Sequence, residues 1–143
     1  MSIEEKQNEI IEELHAFDDM MDRYAAVIDY GQSLGAFDPK SKTPANKIEG
    51  CQGDVWLDAR LVDGKVYYSA ETNVLIIKGL IAIILDILNG HTPDEIANAN
   101  LSFVSEILGG NYLTPNRVNG LLAVVKQIKV FALAFKALED KGK

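Results

Sequence analysis

The single cysteine of the chain, Cys51, stands in the run Lys47-Ile48-Glu49-Gly50-Cys51-Gln52-Gly53-Asp54-Val55-Trp56. A thiolate is a nucleophile, and Gly50 and Gly53 on either side let the backbone turn sharply and let a second molecule approach the sulfur closely. A cysteine carried at a loop tip on a rigid sheet is a common way to present a reactive group. Free cysteine is also among the most buried residue types and packs as a small hydrophobe, so these residues alone leave two readings open, a reactive thiol or a core filler. Glu49 and Asp54 disfavour the thiolate, and activation of Cys51 therefore has to come from elsewhere in the fold or from a partner. With one cysteine there is no internal disulfide and no Cys-x-x-Cys redox or zinc motif.

The other residues with chemical potential form no set of their own. His15 falls in a charged helix and His91 in the turn Asn89-Gly90-His91-Thr92, and two distant histidines with one cysteine make no recognisable metal site. Both read as structural, and neither a metal nor a cofactor is expected. Arg117 can orient a carboxylate or meet a partner, or stand as a solvated surface residue. Gln52 can bond the loop backbone or line a sulfur pocket, or simply shape the loop. Trp56 and Tyr67 read as sheet packing, and Lys126, Lys129 and Lys136 as the wet face of the last helix.

Composition narrows the class. At 143 residues the chain suits one domain, 1–143, large enough to bury a continuous core. A content of 48% hydrophobic and 24% charged residues is that of a folded globular protein. The net charge of −7, with fourteen scattered Lys and Arg, repels a phosphate backbone and speaks against nucleic acid as a partner. The most apolar stretch, Val74–Leu88, is interrupted by Lys78 and Asp86 and is shorter than the ~20 residues a membrane span needs. It reads as a buried helix, with no membrane association. The opening Met1-Ser2-Ile3-Glu4-Glu5-Lys6 lacks the basic start and apolar region of a signal peptide, and a cytoplasmic setting is expected.

The elements that must position Cys51 follow from spacing. Ser2 and Glu5 form a capping box before a helix with Ile3, Ile10, Ile11 and Leu14, reaching to Phe17. Asp18 caps a second helix containing Met20, Tyr24, Val27 and Ile28, which Gly35 is placed to end. Residues 37–46 hold Pro39, Pro44 and several turn formers and read as an exposed loop. Val55, Leu57, Ala59 and Leu61 then alternate with polar neighbours as a half-buried strand, and Asp63-Gly64 predicts a type I′ turn into a partner strand over 65–70. Lys47-Ile48-Glu49 is a candidate further strand. Thr72 caps the apolar helix, Asn89-Gly90 closes it, and Thr92-Pro93-Asp94-Glu95 starts a short helix. Ser102 to Leu108, ended by Gly109-Gly110, is a further short helix. Thr114-Pro115 opens a long last one, with Val118, Leu121, Leu122, Val125, Ile128, Ala132 and Phe135 along its buried face. The fold class is α+β, a small antiparallel sheet (hairpin 55–70 plus a candidate short strand) covered by helices.

Asn46-Lys47-Ile48-Glu49-Gly50-Cys51-Gln52, followed by Val55-Trp56, resembles the cysteine-loop signature of the SufE family. Lys78-Gly79-Leu80-Ile81-Ala82 resembles that family's helix motif, Thr92-Pro93 the cap after it, and Leu113-Thr114-Pro115 with Arg117 and Gly120-Leu121 its last-helix entry. The matches keep their order from about Tyr24 to the final helix. The resemblance implies a fold like that of iron–sulfur scaffold proteins, and for Cys51 the role of accepting persulfide sulfur from a pyridoxal-phosphate cysteine desulfurase, SufS-like. It implies stimulation of that desulfurase and delivery of the sulfur to a cluster-assembly scaffold, SufB-like. Gly50, Gln52 and Gly53 then support the cysteine loop, and Arg117 meets a partner. The chain departs from the family pattern at Gly53 and Asp54, where serine and a polar neutral residue are usual. It also departs at Glu71-Thr72-Asn73, which replaces a more acidic stretch, and at Val118, where serine is usual; these bear on docking.

Three other classes compete. A cysteine-dependent small-molecule enzyme needs a base or electropositive niche built from His15 or His91. A cluster scaffold ordinarily needs several cysteines. A non-catalytic interaction protein needs only a core cysteine. For the sulfur carrier, Glu49, Asp54 and the apolar helix 74–88 predict a thiol that is protected in isolation and exposed by a swing about Gly50 and Gly53 when a partner docks.

Overall fold

The computed structural model describes residues 2–48, 53–109 and 113–141. Local capping starts the chain: the Ser2 hydroxyl accepts from the N–H of Glu5 and opens α1 (Ile3–His15), which buries Ile3, Ile10 and Leu14. α2 (Met20–Tyr30) is capped by Asp19 instead of the expected Asp18, its carboxylate taking the N–H of Met21 at 2.8 Å. The helix also stops short of Gly35, passing at Gly31 into a 3-10 turn over Gly31–Ser33. The stop falls where the chain runs close to the next long helix: a Cβ on Gly31 would lie 3.3 Å from Lys78 Cγ and 3.4 Å from the backbone nitrogen of Gly79. Within the loop that follows, Pro39–Ser41 forms a second 3-10 turn, capped by Asp38.

β1 (Val55–Val62) and β2 (Lys65–Thr72) pair antiparallel in the register Val55↔Thr72 to Val62↔Lys65. Asp63 and Gly64 join them with φ of 51° and 78°, the two positive values a type I′ turn requires. Alternation places Val55 and Leu57 of β1, and Val66, Tyr68, Ala70 and Thr72 of β2, on the buried face. β2 runs two residues past the expected end at Ala70. Both edges are partly covered. Lys47 forms an antiparallel bridge to Trp56, flanked by Ile48 N–H to Val55 O at 2.8 Å and Leu57 N–H to Asn46 O at 2.9 Å. Glu49, the last residue of the expected short strand, lies outside the described residues. On the far edge of β2, Val66 exchanges hydrogen bonds with His91 and Gly90, and the Asn89 side chain takes the N–H of Tyr68 at 2.7 Å.

α3 (Leu75–Leu88) is the central helix, buried at every position except Leu75, Lys78 and Asp86. It begins one residue later than expected. Val74 is the N-cap residue and its N–H is held by Thr72 Oγ1 at 3.2 Å. α4 (Pro93–Ala97) has both arms of the Thr92/Glu95 capping box. α5 (Ser102–Gly109) follows; Gly110 of its expected stop lies outside the described residues.

α6 (Pro115–Lys141) buries Leu121, Val124, Ile128 and Ala132. The expected face is therefore corrected at Leu122, which is 44% exposed, with Val124 in its place. Apolar residues recur on several sides of α6, so their spacing does not select one face. The expected wet face is corrected at Lys129 only, whose Nζ donates to the carbonyls of Ile96 at 2.7 Å and Ala99 at 2.6 Å, closing the C-terminal end of α4. Lys136 reaches the same helix through Asp94 at 2.7 Å. The architecture is α+β, with the sheet and α3 sharing one core. Among the described residues no helix is long and apolar enough to cross a membrane.

Candidate functional site

Cys51, Gly50 and Gln52 lie outside the described residues, and the structure defines the framework that carries them. Asn46 to Ile48 and Val55 to Leu57 run antiparallel, closed by the hydrogen bond from Ile48 to Val55. Residues 49–54 therefore connect two strand-like ends that point the same way. Both ends are anchored in the core, since Ile48 is 7% and Val55 1% exposed.

Gly53 leaves this connection at φ +95°, a backbone conformation that L side chains rarely adopt. A Cβ there would sit 3.0 Å from Val74 Cγ2 and 3.2 Å from Asn73 Oδ1. The exit of the cysteine loop is thus pressed against the start of α3, beside Leu75, which is 64% exposed.

The charges around the loop roots are paired. Lys47 meets Asp54 at 3.1 Å, and Lys42 forms an ion pair with Glu71. Both ammonium groups also stand over the Trp56 ring, Lys42 at 5.2 Å and Lys47 at 5.9 Å from its centroid. Asp54, expected to disfavour a thiolate, therefore has its charge offset by Lys47. The alternation of Trp56 with Val55 and Leu57 puts its ring on the outer face of the sheet; the pairing of Lys42 with Glu71, nearly thirty residues on, has no such signal.

Arg117 lies half-buried in the first turn of α6, and its side chain makes no ion pair or hydrogen bond with a described residue. The histidines are engaged elsewhere. His15 of α1 bonds Glu106 of α5, and His91 Nδ1 meets Glu95 Oε2 at 3.2 Å while its backbone pairs with Val66. Among the described residues neither bonds to the loop roots. Nor do three His, Cys, Asp or Glu gather there as a metal site.

Two positions that reading by type passed over hold the framework in place. Gln7 is 1% exposed and spans from α1 to the start of α5, donating to Asn100 O and accepting from Phe103 N–H, each at 2.9 Å. Gly79, noticed only as part of a motif, is where α2 and α3 touch backbone to backbone.

Comparison with known proteins bears on the family and on the fold. The family described as SufE, Fe-S metabolism associated domain, matches residues 8–132. An uncharacterized SufE-like protein of Synechocystis sp. is 34% identical over 133 residues, covering 93% of this chain and 84% of its own. Another, from Rhizobium meliloti, is 32% identical over 127 residues, covering 85% and 91%. The solution structure of a hypothetical protein from Thermus thermophilus superposes with a TM-score of 0.75 over 94% of this chain and 96% of that one. At 18% identity that likeness speaks for the fold alone.

Proposed function

This chain belongs to the SufE family, and from that premise we propose that Cys51 is the sulfur acceptor of a shuttle serving a cysteine desulfurase. Membership places the chain in iron–sulfur metabolism and sulfur transfer. In the proposed step the Cys51 thiolate attacks the outer sulfur of the donor's persulfide. The donor S–S bond breaks, its electron pair leaves with the donor cysteine as a thiolate, and Cys51 becomes the persulfide with no net oxidation. No second cysteine is required. The carrier then delivers the sulfur to a cluster-assembly scaffold, and its removal pulls the desulfurase forward. Gly50, Gln52 and Gly53 shape the loop, Arg117 contributes to docking, and the chain acts as one domain.

The observation that supports this reading most is the antiparallel closure at Ile48 and Val55, which roots residues 49–54 on the rigid sheet as a connection able to present a side chain. The test is intact mass after incubation with a desulfurase, cysteine and pyridoxal phosphate. A gain of one sulfur on the native chain, lost in Cys51→Ser together with stimulation of turnover, is expected. Full stimulation by the serine variant, whose hydroxyl cannot hold a sulfane sulfur, would sink the reading.

A further inference from the structure

The side of α6 turned away from the core carries a second stripe. Ala123, Lys126, Val130, Leu133, Ala137 and Asp140 recur at spacings of three and four residues in strict alternation, the repeat that keeps one side of a helix facing a neighbouring helix. The buried residues Leu121, Val124, Ile128 and Ala132 lie on the opposite side of the same helix. The stripe is open to solvent. Val130 is 44% and Leu133 55% exposed, Lys126, Ala137 and Asp140 are exposed, and Ala123 is half-buried. Its two charges are free as well: Lys129 and Lys136 are engaged with α4, whereas Lys126 and Asp140 form no ion pair with a described residue.

We propose that this stripe is the interface of a homodimer, in which α6 of one copy packs antiparallel against α6 of a second. The stripe is complementary to itself when inverted. Turned end for end about the point between Val130 and Leu133, it sets Val130 against Leu133, Lys126 against Ala137, and Ala123 against Asp140. An apolar pair lies at the centre, and each charged residue faces an alanine that leaves it room. Lys126 lies over Ala137 of the second copy, and its long side chain reaches Asp140 three residues on, about 4.5 Å further along the axis. The twofold axis makes this ion pair twice, and self-complementarity of this kind is what names a second copy as the occupant. A parallel pair would set Lys126 against Lys126 and Asp140 against Asp140, so charge selects the antiparallel arrangement. The seam from Ala123 to Asp140 is about 26 Å long and has alanine at two of its six positions. It buries less than the ~1,600 Å² of a standard interface, so the dimer is weak, with a dissociation constant of about 100 μM. This surface does not involve Cys51, so it stands or falls apart from the sulfur-carrier reading.

The experiment is sedimentation equilibrium of the full chain from about 10 μM to about 1 mM, with Lys126→Asp, Asp140→Lys and the double swap alongside. The native chain should dimerise reversibly. Each single swap sets like charges together twice per dimer and should weaken association at least about tenfold, and the double swap should restore it to within about threefold of native. Within one chain the two positions are about 21 Å apart along the helix, so restoration reports contact between copies and not a repaired monomer. Both positions are exposed, and lysine suits the C-terminal end of a helix, so a dimer lost in Asp140→Lys is not a fold lost. A native chain that stays monomeric to the top of the range overturns the proposal. So does a dimer indifferent to either single swap, or one that the double swap fails to restore.

Discussion

Gly79 of α3 faces Val27 of α2 so closely that a Cβ on Gly79 would lie 2.0 Å from the Val27 carbonyl oxygen. The obstacle is backbone, so a methyl group there can be accommodated only by parting the helices. Alanine favours a helix over glycine by about 1 kcal/mol, while overpacking a core costs about 1–3 kcal/mol. A rigid carbonyl puts the cost at the upper end. Gly79→Ala should therefore lower stability by about 2 kcal/mol, read from the urea midpoint at unchanged slope. A midpoint equal to or above the native one would show that the two helices are not in backbone contact.

Gln7 bridges α1 to α5 from a fully buried position. Gln7→Leu keeps the bulk and strands the Asn100 carbonyl and the Phe103 N–H, a loss of about 1–3 kcal/mol. Amide exchange at Phe103 should accelerate more than exchange in the middle of α3. A uniform acceleration would mean that Gln7 contributes volume alone.

Alkaline stability should follow the tyrosines. Burial holds the Tyr68 phenol far above its ordinary range while its hydroxyl donates to Ile128 O at 2.8 Å. Burial first, and then Glu13, pushes Tyr30 up to about 12. Both ionise near pH 10 in an unfolded chain. Above that pH the native state keeps protons that the unfolded state has released, so this stabilisation is whole below pH ~10 and is lost as pH rises through the folded values. Lys129, whose pKa burial lowers, contributes in the opposite sense. The difference between native protein and Tyr68→Phe isolates the phenol: about 1 kcal/mol lost at neutral pH and a shallower fall above pH ~10. Parallel urea midpoints across that range would contradict it.

What could be read from the sequence was what neighbouring residues decide among themselves. Asp63-Gly64 dictates its own turn, and Thr92 with Glu95 closes a ring of hydrogen bonds three residues wide. Where partners are remote, type and spacing mislead. Lys129 has the side chain of a wet face, yet carbonyls some thirty residues earlier claim its ammonium group. Leu122 and Val124 are both apolar, and only the packing of α6 chooses between them. The ends of the cysteine loop could be anticipated because the strand pattern of Val55 and Leu57 begins there. The counter-charge of Asp54 could not, since Lys47 reaches it across the loop.

The last prediction concerns how Cys51 is guarded. Gly53 fixes the exit of its loop at φ +95° against Val74 and Asn73, and a serine there would be strained at that φ and crowded by both neighbours. Strain of this kind costs about 1–3 kcal/mol, and one or two kcal/mol moves a population by about 5–30-fold. If the closed loop shelters the thiol until a desulfurase docks, Gly53→Ser favours the open form. Alkylation of Cys51 in the isolated variant should then run about 5–30-fold faster than in the native chain, by the same strain-derived factor. Docking a desulfurase whose own active-site cysteine has been replaced should accelerate the native chain and add little to the variant. Were the isolated native protein already to react like an exposed, acid-shifted thiolate, with no increase on docking, Cys51 would be an open nucleophile and Gly53 would shape the loop without gating it.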